Sequence, residues 1–308
     1  MSVLSFLTTT QIAALNTTTI ASLTSTQLRS LSSTQVGAIT TEQLQALATS
    51  QMASLASTQV VGFSTTAVAG LSSTLLSALT TSNIASLSTT QIGALATDQV
   101  AALTTNWVRA LTTAQVAGLT ITQVAALTTT QVGSLTTTQI RGIETTDLVA
   151  LTTDQLPGLT TGQLAALSTD QLNAMETTDL AALTATQIRG LTTAQLTGFT
   201  TDQTAALTSE QLGALTTTQI RGLETADFAT LTSTQLSGLV ATQMPGLTTA
   251  QLNALTTTAV IALTTTQLSG LLTSQIAGLS STQMGALTTD QIGNLTTNQL
   301  RSLTSAQI

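Results

Sequence analysis

The 308-residue chain contains no cysteine, histidine, lysine or tyrosine, and it has only two prolines. Without cysteine there is neither a disulfide nor a thiolate metal site. Without histidine or lysine, the many serine and threonine hydroxyls lack the usual base that would activate one as a nucleophile. These absences predict that the protein is not an enzyme and carries no cofactor.

Charge is also scarce, at 6% of residues, and the formal net charge is −7. An acidic, lysine-free chain lacks the basic surface of a nucleic-acid-binding protein, so we expect no nucleic-acid partner. No apolar run approaches the ~18 residues of a membrane span, so we expect none. The first residues lack the basic start and long apolar stretch of a signal peptide.

An octapeptide, Leu-Thr-Thr-x-Gln-Ile-x-Ala, runs from Leu7 to the end of the chain without insertion or deletion. We number its positions 1 to 8 along residues 7–14, so that every eighth residue from Leu7 to Leu303 is an apolar position 1. A repeat this short cannot bury its apolar side alone and must stack on its neighbours. Because no linker or shift in composition divides the chain, we predict one continuous solenoid over residues 1–308.

The spacing of the apolar positions favours helices over strands. Positions 1 and 6 are separated by odd numbers of residues, which would place them on opposite faces of a strand. A continuous helix would drift by roughly 80° per octad, so each helix must be short. Thr8 and Gln11 match a capping box at its start. The sequence therefore predicts an all-α, tight solenoid with one very short helix per octapeptide; a β-solenoid with 16-residue coils is the alternative, favoured by the abundant threonine and valine.

Acidic residues replace both halves of the capping box in three octads. The replacements are Glu144 with Asp147, Glu176 with Asp179, and Glu224 with Asp227. Because the two positions change together, we expect them to be in contact. Paired carboxylates can act as acid and base or bind a hard cation. Arg141 and Arg221 lie three residues before two of the glutamates, so we interpret the pairs as solvated ion pairs and predict no catalytic and no metal site.

Position 7 shows a second period, of sixteen residues. The arginines are all separated by multiples of sixteen: Arg29, Arg109, Arg141, Arg189, Arg221 and Arg301. The intervening octads hold mainly alanine there: Ala21, Ala53, Ala69, Ala85, Ala101, Ala117, Ala165, Ala181 and Ala277. This alternation predicts two octads per coil and a ribbon with two unlike faces. The arginines would mark a polar face, and the alanines would mark a self-association face, since small residues allow close approach of another surface; a crowded turn is the alternative explanation of the alanines.

The motif, together with the cysteine-free composition rich in Thr, Ala and Gly, resembles the octapeptide-repeat solenoid segments of large bacterial secreted or cell-surface proteins. The resemblance implies a non-enzymatic structural protein that forms a stiff rod or filament, as a surface fibre, stalk or spacer. It also implies an extracellular or cell-surface location, and association with itself or with other parts of a larger repeat protein. The alternatives are a binding module that uses a Thr-rich face to contact ice, carbohydrate or another surface, and a cytoplasmic location.

Overall fold

The computed structural model describes residues 3–308, and all regular secondary structure in that range is helical. It consists of 35 α-helices and three short 3₁₀ helices. The α-helices are four to six residues long. The prediction of an all-α arrangement of very short helices, spaced by the octad, is confirmed, and the β-solenoid alternative is wrong for the described residues.

The structure divides into two compact units, Met1–Gly158 and Leu159–Ile308. Whether they form the single continuous solenoid predicted for residues 1–308 stays a prediction. The helices of the first unit have these bounds: η1 Val3–Phe6, α1 Thr9–Ala13, α2 Thr17–Ala21, α3 Ser25–Arg29, α4 Ser33–Gly37, α5 Thr41–Gln45, α6 Thr49–Ser54, α7 Ser57–Val60, α8 Thr65–Gly70, α9 Ser73–Ser77, α10 Thr81–Ser86, α11 Thr89–Gly93, α12 Thr97–Ala101, α13 Thr105–Ala110, α14 Thr113–Ala117, α15 Ile121–Ala125, α16 Thr129–Ser134, α17 Thr137–Gly142, α18 Thr145–Leu148 and η2 Leu156–Gly158.

The second unit is built in the same way. Its helices have these bounds: α19 Thr161–Ala166, α20 Thr169–Ala174, α21 Thr177–Ala182, α22 Ala185–Arg189, α23 Thr193–Thr197, α24 Thr201–Ala206, α25 Ser209–Ala214, α26 Thr217–Gly222, α27 Thr225–Phe228, α28 Ser233–Ser237, η3 Met244–Gly246, α29 Thr249–Ala254, α30 Thr257–Ile261, α31 Thr265–Ser269, α32 Thr273–Ala277, α33 Ser281–Ala286, α34 Thr289–Gly293 and α35 Thr297–Arg301. None of the helices in residues 3–308 is long and apolar enough to cross a membrane.

Most of the α-helices begin at the capping box that the sequence predicts. In α5 the cap residue Thr40 is extended, with φ −70° and ψ 162°. The Gln43 backbone N–H donates to the Thr40 hydroxyl (3.3 Å), and the Thr40 backbone N–H donates to Oε1 of Gln43 (2.8 Å). Two amide groups that the first helical turn leaves without partners are thereby satisfied.

Each helix ends because the position 1 residue leaves the helical conformation to reach the core. Leu55 follows α6 with φ −61° and ψ 140°, and its N–H still donates to the Met52 carbonyl (3.2 Å). Leu55 and Met52, at positions 1 and 6, are both buried. Helices of one or two turns are unstable in isolation. They persist here because positions 1 and 6 of successive octads form the apolar core of each unit.

Helices stack at a spacing of three octads, so the predicted coil of two octads is wrong. All of the extensive helix–helix contacts in the described residues join octads that are three apart. In the first unit, for example, α4, α7, α10, α13, α16 and η2 form one such stack, which we call a column. In the second unit α19, α22, α25, α28, α30 and α33 form another. The sixteen-residue period therefore does not measure one coil.

The two prolines account for two octads without an α-helix. Pro157 and Pro245 both occupy position 7, and both lie in 3₁₀ helices, η2 and η3. Proline has no N–H to donate to the carbonyl four residues earlier. The tighter 3₁₀ turn replaces the α-helical turn in these two octads without interrupting the register.

Candidate functional site

The most specialised side chain of the repeat is the buried glutamine at position 5. Gln43 is 2% exposed, and while its Oε1 caps its own helix, its Nε2 donates to the carbonyls of Leu15 (2.6 Å) and Ile12 (3.0 Å). Leu15 lies three octads earlier, and Ile12 lies at the end of a helix four octads earlier. One amide group thus joins three segments of the chain.

The same pair of bonds recurs through both units, 28 and 31 residues back along the chain. Gln115 donates to Leu87 and Ile84 (2.7 and 2.8 Å) in the first unit. Gln251 donates to Leu223 (2.8 Å) and Ile220 (3.1 Å) in the second. We call this series of position 5 side chains the glutamine ladder. A buried hydrogen bond contributes about 1 kcal/mol net, but a buried carbonyl left without its donor costs about 1–3 kcal/mol.

The spacing of threonine and glutamine predicts the capping role of glutamine, but its reach to earlier coils was not predicted. A signal for that reach was present. Several octads carry an apolar residue at position 2, where no hydroxyl can complete the box, and still keep glutamine at position 5: Ala48 with Gln51, Ala56 with Gln59, Ala96 with Gln99, Val240 with Gln243, and Leu272 with Gln275. Glutamine that persists without its capping partner indicates a second contact.

The acidic pairs keep only part of this geometry. The predicted contact is confirmed in two octads, where the Glu176 N–H donates to Asp179 Oδ2 and the Glu224 N–H donates to Asp227 Oδ2, both at 3.1 Å. The structure shows no such bond for Asp147. An aspartate cannot donate as glutamine does, so the ladder loses its amide donor at these positions.

The interpretation of the pairs as solvated is wrong for the aspartates. Asp147, Asp179 and Asp227 are 6%, 7% and 1% exposed, although the three glutamates are exposed. The Arg221 Nε donates to the Gly246 carbonyl (3.3 Å). The helical repeat directs position 5 inward whatever residue occupies it.

Burial raises the pKa of all three aspartates, and the charge of the neighbouring glutamate raises it further. Hydrogen bonding to the Glu176 backbone partly offsets this rise in the pKa of Asp179. For Asp227 the hydroxyls of Thr204 and Thr201 and the Glu224 backbone oppose the rise in pKa. Asp227 is thus the aspartate with the most polar surroundings.

Several long side chains at position 7 bind the next helix of their column. The Arg29 Nε donates to the Ser54 carbonyl (2.6 Å), and the Asn253 Nδ2 donates to the Gly278 carbonyl (3.0 Å). Gln45 reaches the Gly70 carbonyl in the same way. Each acceptor lies 25 residues later, at the end of a helix whose own position 7 is alanine: Ala53, Ala277 and Ala69, respectively.

This geometry gives a physical reason for the sixteen-residue alternation. Three is an odd number, so neighbours in a column always belong to opposite phases of the alternation. A long polar side chain covers the end of the next helix, which leaves space for only a small residue there. The predicted polar and small-residue sets therefore alternate down every column and do not form two separate faces.

All fifteen residues of the two predicted sets nevertheless lie at the surface. The six arginines are exposed, as are Ala21, Ala69, Ala85, Ala101, Ala165 and Ala181; Ala53, Ala117 and Ala277 are half-buried. Crowding explains three of the four glycines in the small phase, because a Cβ on Gly37, Gly133 or Gly213 would clash with a glycine carbonyl of the next helix, whereas the space around Gly293 is open. Self-association through the alanines stays a prediction.

Two further observations limit the chemistry of the described residues. Trp107, which replaces a ladder glutamine, is 3% exposed, and its Nε1 has no hydrogen-bond partner. It therefore packs in the core. No three acidic side chains within residues 3–308 are grouped so that they could hold a metal ion.

The ALTTAQ repeat model matches the chain in eight segments, residues 20–49, 76–105, 108–137, 140–177, 172–209, 205–241, 221–257 and 260–297. These segments cover well over half of the protein. Residues 110–115 spell the motif letter for letter, and they run from position 8 of one octad through the position 1 leucine to the ladder glutamine of the next. No curated protein matches the chain. The chain belongs to the ALTTAQ repeat family.

Proposed function

We propose that this protein is a non-enzymatic structural repeat protein that acts as a stiff rod or filament, in the role of a fibre, stalk or spacer. The glutamine ladder is the observation that carries this proposal. Most octads contribute the same inward amide and the same carbonyl acceptors, so repetition lengthens the structure without any new type of contact. An element that grows by repetition suits a mechanical or spacing role.

The ladder also supports stiffness. The bonds of Gln251 connect its helix to Leu223 and to Ile220, and both acceptors belong to earlier coils. Bending between coils would lengthen these buried bonds and open the apolar core beside them. Both changes are costly, because the amide and the carbonyls would lose their partners away from water.

The proposed partners are further copies of this protein, or other segments of a longer repeat protein. Few charges oppose such contact, with a net charge of −7 over 308 residues. The resemblance to repeat segments of large bacterial secreted or cell-surface proteins supports a location outside the cell or on its surface.

Small-angle scattering and sedimentation over a range of concentrations test the proposal. We expect a maximum dimension several times the cross-section, and a sedimentation coefficient that rises with concentration. A compact globular particle would contradict the rod. A strict monomer at high concentration would contradict self-association and leave a spacer within a longer chain.

Matched arginine substitutions test which part of the surface associates. We expect A85R, A101R and A165R together to weaken association, because each adds a long side chain at an exposed position of the small phase. The control is S77R, S237R and S269R, which place the same side chain at exposed positions of the arginine phase. Equal weakening by both sets would argue against an association surface centred on the alanines.

A further inference from the structure

Two departures from the repeat meet where the octad Leu223–Thr230 packs against the octad Phe199–Ala206. Position 5 is Asp227, and Thr204 in the helix packed against it is the only polar residue at any position 6. Thr204 is fully buried, and its hydroxyl makes no hydrogen bond of good geometry. The Thr204 hydroxyl is nevertheless close enough to Asp227 to lower the pKa of that carboxyl group, against the larger effect of burial.

The ladder is intact on both sides of this octad. Gln219 donates to the Leu191 carbonyl (2.7 Å), and Gln235 donates to the Leu207 carbonyl (2.8 Å). Between them, Asp227 keeps the bond from the Glu224 N–H but has no amide to donate towards the carbonyls 28 and 31 residues earlier. An ionised Asp227 carboxylate can only accept hydrogen bonds, whereas a glutamine at this position would donate to those two carbonyls.

A proton on the carboxyl group restores a donor. We propose that Leu223–Thr230 is an acid-stabilised joint, in which protonated Asp227 replaces the missing amide donor and loss of the proton loosens the packing of α27 on α24.

The charge of Glu224 favours the protonated form, because it adds to the rise in the pKa of Asp227 that burial causes. Glu224 lies in the same octad, Asp202 is the charged residue of α24, and α29, which packs on the other side of α27, has none. The nearest cation in sequence, Arg221, extends to the Gly246 carbonyl.

The direction of the pH dependence follows from burial. Burial raises the pKa of Asp227 above its ordinary value of 3.8, so the folded chain holds this proton more tightly than the unfolded chain does. The joint is fully stable below about pH 3.8 and weakens as the pH rises towards the folded-state pKa. The joint would behave this way whether or not copies of the protein associate.

Hydrogen exchange of the full chain between pH 4 and pH 7 tests the joint, with rates corrected for intrinsic exchange. We expect peptides from α24 and α27 to open more at pH 7, by about tenfold for each unit by which the folded-state pKa exceeds the unfolded one. The matched control is the double variant E224T/D227Q, which restores the common octad and should make opening independent of pH. Peptides around Gln115, in the first unit, serve as an internal reference.

Carbon-13 NMR of aspartate carboxyl groups gives a second measurement, with D227N identifying the Asp227 signal. A midpoint above 3.8 supports the proposal. A midpoint at or below that value, or exchange at α24 and α27 that is the same at both pH values, overturns it. If millimolar calcium chloride at pH 7 slows exchange as much as acid does, the joint takes a cation and the proton mechanism is wrong.

Discussion

Two regions interrupt the glutamine ladder in opposite ways. In residues 64–79, Ala67 and Leu75 replace glutamine, and their N–H groups still donate to the hydroxyls of Ser64 and Ser72 (3.0 and 3.3 Å). In residues 223–230 the cap hydroxyl is lost instead, and the bond to the position 5 carboxylate remains. Each region keeps a different half of the capping box.

The difference shows that one half of the box is enough to begin a helix here. Stacking within the columns supplies the remaining stability, as expected for helices too short to persist alone. The costs of the two interruptions differ in kind. The apolar one loses hydrogen bonds between coils and gains apolar burial, while the acidic one places an ionisable group where glutamine is neutral. Only the second depends on pH.

The largest loss of stability is expected when a carboxylate is placed at position 1, which takes no part in the capping box. Leu159, at position 1, is 3% exposed. We expect L159D to destabilise its surroundings by about 3–5 kcal/mol, because it buries a charge without a partner. L159M is the control, since it keeps apolar volume. Circular dichroism during denaturation with hydrogen exchange measures the loss, and a change as small as that of L159M would show that position 1 is not a core position.

Replacing the position 5 glutamine of a regular octad with an apolar residue should reproduce the interruption seen at Ala67 and Leu75. In Q211A the carbonyls of Leu183 and Leu180, which now accept at 2.6 and 2.8 Å, would lose their donor. We expect a loss of about 2–3 kcal/mol, measured by denaturant unfolding. T208A is the matched control, because it removes only the other half of the capping box, at a cost of about 1 kcal/mol. Equal losses would mean that the reach to earlier coils contributes little.

The reverse substitution, of an apolar residue by glutamine, should restore the glutamine ladder in residues 64–79. Leu75 is similar in size to glutamine, and in the register of the ladder the carbonyls of Leu47 and Leu44 lie 28 and 31 residues before it. We expect L75Q to stabilise the protein by about 1 kcal/mol, as its amide gains both acceptors. L75M, which gains neither, should leave stability nearly unchanged. A clear loss of stability in L75Q would show that the core around residue 75 no longer accepts a glutamine side chain.

Asp147 is the buried aspartate of the first unit, where the pH dependence of an acidic interruption can be measured separately. Burial, and then the charge of Glu144, raise the pKa of Asp147 above 3.8, so its ionisation costs stability as the pH rises above that value. We expect D147N to melt at a higher temperature than the unmodified protein at pH 7, with the difference disappearing towards pH 3.8. E144Q, which removes only the lesser cause, should give a smaller difference. Melting curves that differ equally at both pH values would contradict this account.

The smallest changes in stability are expected from substitutions of the exposed arginines at position 7. Arg109 is exposed, so R109A should change stability by less than about 0.5 kcal/mol. R29A should cost slightly more, because the Arg29 Nε bonds the Ser54 carbonyl. Thermal melting compares the two. A large loss from R109A would mean that position 7 contributes to the core.

The sequence predicted the parts of the fold that depend on near neighbours. Thr40 and Gln43 are three residues apart, so their box follows from local geometry alone. The pairing of Glu224 with Asp227 was also predictable, because both change in the same octad. The number of octads per coil was not, since the alternation of Arg29 with Ala53 fits any stack whose helices are an odd number of octads apart.

The sequence by itself determined that the octads form short helices and that positions 1 and 6 face inward. These properties follow from capping and from helical periodicity, which act over fewer than eight residues. Only the tertiary structure decided that stacked helices are three octads apart, that Gln43 binds Leu15 and Ile12, and that Thr204 lies against Asp227. Contacts between residues 23 to 31 positions apart depend on how the chain turns between helices, and no single octad specifies that turn.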